Sequence, residues 1–452
     1  MRFRPSCRRS PSSCTRVTRI PDRIASRPSR AYVVHPDRKP NDSGRDPRAM
    51  LAEAESLVRA LDAFELVGAE IAPLARIRAG TLFGSGKLAE IGARITDLAV
   101  DVVVINGPVS PVQQRNLERA WKVKVLDRTG LILEIFGARA RTREGALQVE
   151  LAHLSYQRSR LVRSWTHLER QRGGFGFLGG PGETQIEADR RALDEQIARL
   201  GRQIAEIQRT RRLHRTGRAR RGFATVALVG YTNAGKSTLF NRLTGESVMA
   251  RDMLFATLDT TLRRITLPGG TPVILSDTVG FISDLPTQLV SAFRATLEEI
   301  AEADLVVHVR DITHSESAAQ AESVHAVLSD LDLPEGLTAA MIEFRNKLDL
   351  APEMADPGRV ERHGEGRIVW GSAGTGAGVD ALLQQIEAAL AQRRIAERLH
   401  LGYDQGAALA WMHRHRLLVE RHAGDGGIAV EVLWSPAERA RFSRSFPEIL
   451  PG

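Results

Sequence analysis

Residues 224–237 read ATVALVGYTNAGKS, in which a mostly apolar run leads directly into a glycine-rich segment. The run at 224–229 predicts a buried strand, and G-x-x-x-x-G-K-S between a strand and a helix is typical of a phosphate-binding loop. Glycine lets backbone N–H groups face a phosphate at a helix N-terminus, where the helix dipole favours an anion. We expect Lys236 to reach the β- and γ-phosphates of a nucleotide and the Ser237 hydroxyl to ligate Mg²⁺. The predicted phosphate-loop residues are Gly230, Tyr231, Thr232, Asn233, Ala234, Gly235, Lys236, Ser237 and Thr238.

Residues 273–280 read VILSDTVG, an apolar strand that ends in Asp-x-x-Gly. In a chain with a phosphate loop, Asp277 fits the carboxylate that helps to hold Mg²⁺, and the N–H of Gly280 can meet the γ-phosphate. The residues of this segment predicted to contact the nucleotide or its metal are Asp277, Thr278, Val279 and Gly280.

Residues 346–349 read NKLD and form a candidate base-reading motif. A carboxylate at Asp349 can accept two hydrogen bonds, from N1–H and from the N2 amino group of guanine, and adenine offers no such pair of donors. Residues 372–374 read SAG, follow a predicted strand at 367–370, and fit the loop that closes over guanine O6. The residues predicted to contact the base are Asn346, Lys347, Leu348, Asp349, Ser372, Ala373 and Gly374. The three motifs in this order indicate a GTPase of the Ras-like P-loop class, with GTP as substrate and Mg²⁺ as cofactor.

One position departs from the usual chemistry of that class. Many such GTPases place glutamine directly after Asp-x-x-Gly, where it orients the attacking water, and this chain has Phe281 there. A phenyl ring can neither donate nor accept a conventional hydrogen bond. We therefore hypothesise that intrinsic hydrolysis is slow and that a partner completes the site. The alternative is that Phe281 packs in the core and another residue nearby orients the water.

Strands alternate with helices upstream of the phosphate loop, which predicts a parallel α/β sheet. A helical region follows, interrupted by the glycine-rich stretch 173–182. We expect an α/β protein with five parts, whose boundaries follow from these patterns. They are a basic disordered tail at 1–30, an N-terminal α/β domain at 31–140, a helical-hairpin linker with a glycine-rich tip at 141–221, a Ras-like GTPase domain at 222–394 and a small C-terminal α+β domain at 395–452.

The charge of the chain is unevenly distributed. The net charge is +9, and residues 1–48 alone carry +9, from 13 Lys and Arg against 4 Asp. Residues 139–222 hold 19 Arg and 9 Asp and Glu, a net charge of +10 that the rest of the body cancels. A basic arm between more acidic domains is the layout expected of a polyphosphate binder, and a solvated helix face rich in arginine is the alternative.

Both cysteines, Cys7 and Cys14, lie in the tail, so structural disulfides and thiolate zinc sites are excluded from the remainder of the chain. No run approaches the roughly 18 apolar residues of a membrane-spanning helix. We expect a cytoplasmic monomer. For the tail we consider a disordered extension, an upstream start codon chosen in error, and an organellar transit peptide.

The segments GYTNAGKST (230–238), FATLD (255–259) and DTVGFI (277–282) resemble those of the HflX family of translational GTPases. The resemblance extends upstream, and it covers about residues 31 to 391. The matching upstream segments are LFGSGK (82–87), QRNLE (114–118), DRT (127–129), LQVEL (147–151), RQRGG (170–174) and GPGETQ (180–185).

This resemblance implies a GTPase that binds the large ribosomal subunit and its RNA, and splits stalled or stress-arrested ribosomes under GTP/GDP control. A membrane-associated fraction is the alternative to a purely cytoplasmic location. The resemblance also selects Thr257, rather than Thr260 or Thr261, as the first-switch residue that closes on Mg²⁺ and the γ-phosphate. The predicted first-switch residues are Phe255, Ala256, Thr257, Leu258 and Asp259; the predicted metal ligands are Ser237, Thr257 and Asp277; the predicted catalytic residues are Lys236, Thr257 and Gly280.

In such a protein the glycine-rich tip would approach ribosomal RNA, with flanking arginines on phosphates. The arginines expected to do so are Arg158, Arg160, Arg163, Arg170 and Arg172. This chain departs from the family pattern in the apolar residues Phe175, Phe177 and Leu178 of the tip, and in Gly374, where lysine is common.

Two other functions stay open. One is a regulatory GTP switch that acts mainly on a protein partner. The other is ATP-dependent RNA remodelling through the N-terminal domain, where residues 84–87 read GSGK. That segment is too short for a phosphate loop, and a tight turn that caps a helix is the favoured interpretation.

Overall fold

The computed structural model describes residues 27–38, 45–171, 181–220, 223–245, 255, 261–283, 297, 299–331, 333, 335–364, 366–392, 395–415, 417–424, 426–434 and 436–450. Within these ranges the strands form three separate sheets, one in each of three successive parts of the chain. No helix of the described residues is long and apolar enough to cross a membrane.

The N-terminal sheet is parallel, with the strand order β2-β1-β3-β4. Its strands are β1 (Ser29–Arg38), β2 (Phe64–Leu74), β3 (Val102–Ile105) and β4 (Lys124–Asp127), and its helices are α1 (Pro47–Arg59), α2 (Ser85–Asp97), α3 (Pro111–Trp121) and α4 (Arg128–Arg139). Both faces are covered: α1 and α4 pack through residues such as Leu57 and Phe136, and α2 and α3 through Ile91 and Leu117. Burial on both faces explains the nearly continuous apolar run of β3.

A long helical arm follows, made of α5 (Arg143–Gln171) and α6 (Pro181–Arg220). The two helices pack against each other, and the 40 residues of α6 correspond to a length of about 60 Å. The helical sequence that precedes the glycine-rich stretch is divided between α4 and α5. The break comes at Ala140, whose backbone is extended, and the Thr142 hydroxyl then accepts a hydrogen bond from the N–H of Gly145.

The second sheet has the order β10-β11-β9-β8-β5-β7-β6, with parallel strands in the centre and antiparallel β6 and β10 at the edges. Its strands are β5 (Ala224–Val229), β6 (Thr261–Thr266), β7 (Pro272–Asp277), β8 (Leu305–Asp311), β9 (Ile342–Asn346), β10 (Val360–His363) and β11 (Gly366–Trp370). Its helices are α7 (Lys236–Thr244), α8 (Ser317–Ser329), α9 (Glu335–Ala339) and α10 (Val379–Gln392). In such sheets, ligands bind beyond the carboxyl ends of the central strands.

The C-terminal sheet is antiparallel, with the order β12-β14-β13. It comprises β12 (Ile395–Leu401), β13 (Leu418–Gly424) and β14 (Gly427–Trp434), with helices α11 (Gly406–Arg414) and α12 (Pro436–Ser445). Trp434 and Phe442 are fully buried, with ring centroids 5.2 Å apart. The sequence does not reveal β13, because nearly every residue of this strand is exposed and it lacks the apolar alternation that marks a buried face.

The structure corrects the expected role of Arg160. Its guanidinium lies 3.1 Å from Asp127 Oδ2 and also donates to Tyr156 Oη and Gln114 Oε1. Asp127 also accepts from Tyr156 Oη at 2.6 Å, and burial together with this carboxylate raises the pKa of the Tyr156 phenol. Arg160 therefore ties α5 to the N-terminal sheet and is not available to RNA. Arg158 is exposed and pairs with Asp194 of α6, whereas the side chains of Arg163 and Arg170 and all of Arg172 lie outside the described part of the chain.

We expect Arg160→Ala to lower the free energy of unfolding by about 2–4 kcal/mol, because it leaves the buried Asp127 carboxylate without its cation. Arg158→Ala is the matched control on the same helix, and its exposed pair should contribute less than about 1 kcal/mol. Denaturant unfolding of the full chain measures both changes. Equal effects of the two substitutions would contradict the structural role of Arg160.

Candidate nucleotide site

The phosphate loop connects β5 to α7, and its backbone path requires glycine at both ends. Gly230 and Gly235 have φ of 150° and 96°. A Cβ at Gly230 would collide with the carbonyl oxygen of Val309, and one at Gly235 would collide with the side-chain nitrogen of Asn346. The loop is therefore packed against β8 and β9 as closely as backbone allows, which leaves its N–H groups at the start of α7.

Lys236 occupies the centre of this loop. Its Nζ donates to the carbonyl oxygens of Gly230 at 3.0 Å and Tyr231 at 2.8 Å, and the side chain is buried. Burial lowers the pKa of Lys236 to about 8, although the nearby Asp277 carboxylate opposes this shift. The ammonium group is thus desolvated in advance, which strengthens its attraction to an anionic phosphate.

Two oxygen-bearing side chains meet beside the loop. Ser237 Oγ donates to Asp277 Oδ2 at 2.9 Å, which joins the first residues of α7 to the end of β7. Thr278 Oγ1 donates to the carbonyl oxygen of Leu228 at 2.6 Å and holds the chain after β7 against β5. A hydroxyl and a carboxylate are ligands that Mg²⁺ prefers, so this donor set fits the metal that the sequence predicts.

Gly280 lies directly on the phosphate loop. A Cβ there would be 2.9 Å from Thr232 Cγ2 and 3.1 Å from Lys236 Nζ, so the position accepts no side chain. Phe281 continues the contact through its backbone, because its N–H donates to Gly230 at 3.1 Å and its carbonyl accepts from the Thr232 N–H at 2.7 Å. The Phe281 ring is buried in an apolar cluster, which favours the interpretation of this residue as a packing residue.

The first switch is described only at Phe255. Its ring is buried against Phe136 of α4, with centroids 4.6 Å apart, so a residue of the GTPase segment packs on the N-terminal domain. The other predicted first-switch residues, Ala256, Thr257, Leu258 and Asp259, lie outside the described residues.

Asn346 joins the base-reading motif to the phosphate loop. Its Nδ2 donates to the carbonyl oxygen of Ala234 at 2.7 Å, and its Oδ1 accepts from the Ala373 N–H at 2.8 Å. Lys347 follows in the left-handed region and pairs with Asp311 at 2.8 Å, while Asp349 is exposed within the short helical turn Leu348–Leu350. Leu348 is buried with Ile368 and Trp370, so its side chain anchors this turn in the core.

Arg242 also belongs to this site, although sequence reasoning missed it. From the last turn of α7, its Nε donates to the Ala373 carbonyl at 2.6 Å, and its guanidinium also donates to the carbonyl of Gly374. Ser372 Oγ, in the same loop, accepts from the N–H of Thr375 at 3.1 Å. Arg242 thus holds the 372–376 loop, including Gly374, to the helix that begins at the phosphate loop. An arginine in the last turn of a helix is too common to reveal such a contact.

The GSGK segment of the N-terminal domain has a different environment. Gly84 precedes the first turn of α2, and Lys87 Nζ lies 3.0 Å from Glu70 and 3.1 Å from Glu90. These ion pairs support the interpretation of the segment as a turn that begins a helix.

Three family models match successive parts of the chain. The family model for the N-terminal part of GTP-binding GTPases matches residues 48–137, the model for their middle region matches 139–218, and the model described as 50S ribosome-binding GTPase matches 225–341. The GTPase HflX of Magnetococcus marinus is 48% identical over 378 residues, which cover 83% of this chain and 86% of that protein. The chain belongs to the HflX family of GTPases. It therefore binds and hydrolyses GTP.

The GTPase HflX of Escherichia coli is 41% identical over 406 residues, which cover 88% of this chain and 93% of that protein. Among solved structures, a GTP-binding protein of Sulfolobus solfataricus in complex with GDP is 22% identical, with a TM-score of 0.41, and the match covers 80% of this chain and 99% of the other. As a HflX GTPase, the chain has the predicted arrangement of an N-terminal α/β domain, a helical region and a P-loop GTPase domain.

We expect Arg242→Ala to raise the KM for GTP about 10-fold, because the loop at 372–376 loses charge-assisted hydrogen bonds worth about 1.4 kcal/mol. The value of kcat should stay unchanged, since Arg242 lies at the base end of the site. The affinity for GDP should fall by the same factor, because both nucleotides share the base. Arg242→Lys should raise the KM for GTP by less than Arg242→Ala does. Arg119→Ala, at an exposed position of α3, is the control and should leave the KM unchanged. A change in kcat without a change in KM would contradict this role.

Proposed function

We propose that this HflX-family GTPase binds the large ribosomal subunit and splits stalled or stress-arrested ribosomes. GTP binding and hydrolysis would control its binding and release. The basic arm carries the proposal, because 19 Arg and 9 acidic residues lie within residues 139–222. The description of the matched family as 50S ribosome-binding supports it. We expect the chain to act in the cytoplasm as a monomer.

The arm offers arginines that do not serve the fold in the way Arg160 does. Among the side chains of α6 that the structure describes, residues 187–210, the exposed arginines are Arg190, Arg191, Arg199, Arg202 and Arg209. Exposed arginines along a long helix can contact RNA phosphates at several points, and each such contact releases counterions. The glycine-rich tip that is expected to approach ribosomal RNA, including Phe175, Phe177 and Leu178, lies outside the described residues.

For the chemistry of the site, we propose that Ser237 and Asp277 hold Mg²⁺, with Thr257 joining them when GTP is bound. The metal would neutralise charge on the β- and γ-phosphates. Lys236 would contact the same phosphates, the Gly280 N–H would contact the γ-phosphate, and Asp349 would read guanine. With Phe281 in the core, a group from the ribosome would complete the site, so large subunits should stimulate hydrolysis.

The proposal is tested by sedimentation of intact ribosomes with the full chain and a non-hydrolysable GTP analogue. We expect the ribosomes to separate into subunits and the chain to sediment with the large one. GTP hydrolysis, measured with and without large subunits, should be faster in their presence. An absence of both subunit separation and co-sedimentation would refute the proposal and favour a switch that acts on a protein partner.

The arm has its own test. We expect Arg191→Ala, Arg199→Ala and Arg202→Ala together to weaken ribosome binding. The slope of log affinity against log salt concentration should become shallower by about 2–3, since each lost phosphate contact removes about 0.7–0.9 from it. The control combines Arg59→Ala, Arg115→Ala and Arg119→Ala, which removes the same charge from exposed positions of α1 and α3. GTP hydrolysis without ribosomes should be equal in both variants. Equal salt dependence in the two variants would exclude the arm as the RNA contact.

A further inference from the structure

A residue of the phosphate loop is bound by the N-terminal domain. Tyr231 Oη donates to Glu53 Oε1 of α1 at 2.7 Å, and it accepts from the N–H of Ser283 at 2.9 Å. Ser283 Oγ lies 2.7 Å from the same oxygen. The phenol is buried, and burial together with the Glu53 carboxylate raises its pKa, so Tyr231 stays protonated and remains a donor. One hydroxyl therefore joins three parts of the protein: α1, the phosphate loop and the segment after Asp-x-x-Gly.

Glu53 is held in place by two arginines. Its Oε1 lies 2.8 Å from Arg128 Nη2 and its Oε2 lies 2.9 Å from Arg45 Nη2, and Arg45 also pairs with Glu316 beside α8. The side chain of Glu53 is only 10% exposed. Burial alone would raise the pKa of Glu53, but Arg128 and Arg45 outweigh it and hold this pKa below its usual value. The carboxylate is therefore ionised at neutral pH and accepts the Tyr231 hydrogen bond as an anion.

Arg128 makes a second contact with the nucleotide site. Its Nη2 donates to the carbonyl oxygen of Ser283 at 3.1 Å, and its Nη1 donates to Asn106 Oδ1 at 2.8 Å. Asn106 is itself fixed, because its Nδ2 donates to the carbonyl oxygen of Met50. The guanidinium thus holds the backbone of Ser283 from a rigid position at the carboxyl end of the N-terminal sheet.

Both anchors fix the segment 280–283 against the phosphate loop. Gly280 lies against Lys236 Nζ, and the backbone of Phe281 pairs with Gly230 and Thr232. Lys236 Nζ donates to loop carbonyls in this arrangement. We expect a γ-phosphate to approach that ammonium from the side of Gly280, with the β-phosphate bound by the N–H groups of the loop. Because Gly280 occupies the space beside Lys236 Nζ, we expect a bound triphosphate to displace segment 280–283 until the Gly280 N–H can contact the γ-phosphate, whereas a diphosphate leaves the segment in place.

We infer that Glu53 and Arg128 are positioning residues of the GTP site, which act through Tyr231 and Ser283 to hold segment 280–283 over Lys236 and so disfavour the triphosphate relative to the diphosphate. Neither is among the residues expected to contact the nucleotide. The apolar contact between Phe136 and Phe255 already joins the two domains, and a buried ion pair adds little stability beyond such packing. The inference concerns the nucleotide cycle and does not depend on the ribosome as partner.

The test compares binding of fluorescent GDP and of a fluorescent non-hydrolysable GTP analogue to the full chain. In Glu53→Gln, Arg128→Lys and Tyr231→Phe, we expect the affinity for the triphosphate to rise about 10-fold relative to that for GDP. Tyr231→Phe removes one hydroxyl and leaves no unpaired buried charge, so it decides the outcome if either charge variant fails to fold. Glu55→Gln is the matched control on α1, because Glu55 pairs with Arg59 and not with the GTPase segment.

A purely structural role would lower the melting temperature and change both affinities by the same factor, as Arg242→Ala should. Unchanged affinity ratios in folded Glu53→Gln, Arg128→Lys and Tyr231→Phe would therefore overturn the inference. Sedimentation of the same variants with ribosomes keeps this outcome separate from that of the proposed function, since ribosome binding by the arm does not require the Tyr231 contact.

Discussion

The close approach of the phosphate loop to β8 and β9 is the constraint on which the site depends. Gly230 lies against the Val309 carbonyl and Gly235 against Asn346, so neither position has space for a Cβ. The parallel register of β5 with β7 and β8 places the loop close to β8, and it also brings Asp277 beside Ser237. The burial of Lys236 and the bridge from Asn346 to the loop both depend on this close approach, which only glycine permits at the carboxyl ends of the strands.

The buried cluster around Glu53 connects this site to the N-terminal domain. Arg45, Arg128 and Tyr231 all contact the Glu53 carboxylate, so the positions of these four side chains are fixed relative to one another. Removing one partner of such a cluster leaves a desolvated charge, whereas an apolar replacement of the whole cluster would cost little. Its value to the protein therefore lies in the relative placement of α1, Tyr231 and Ser283. The nearby Phe136–Phe255 contact supplies apolar burial without that directionality.

The arginines of the helical arm divide into two kinds. Arg160 is drawn into a cluster with Asp127 and Tyr156 at the junction with the N-terminal sheet, and it stabilises the base of the arm. Arginines of α6 such as Arg191 and Arg202 are exposed and place positive charge on the surface of the arm. Counting charges along the sequence detects the excess but assigns the same role to both kinds, because the difference depends on which carboxylates lie within reach.

By itself, the sequence determined the fold class, the phosphate loop and the order of the nucleotide motifs, because these depend on local spacing. Glycines at fixed intervals mark a loop whose backbone is accessible to phosphate, and apolar runs mark the strands. Only the tertiary structure decided the roles of Glu53, Arg128 and Arg242. Glu53 meets Tyr231 across 178 residues, Arg128 meets Ser283 across 155, and Arg242 meets Ala373 across 131. No periodicity encodes such pairs, since an isolated charged residue on a helix looks the same in sequence whether it faces water or a buried partner. The same reason hid β13, whose exposed side chains have no buried face to reveal it.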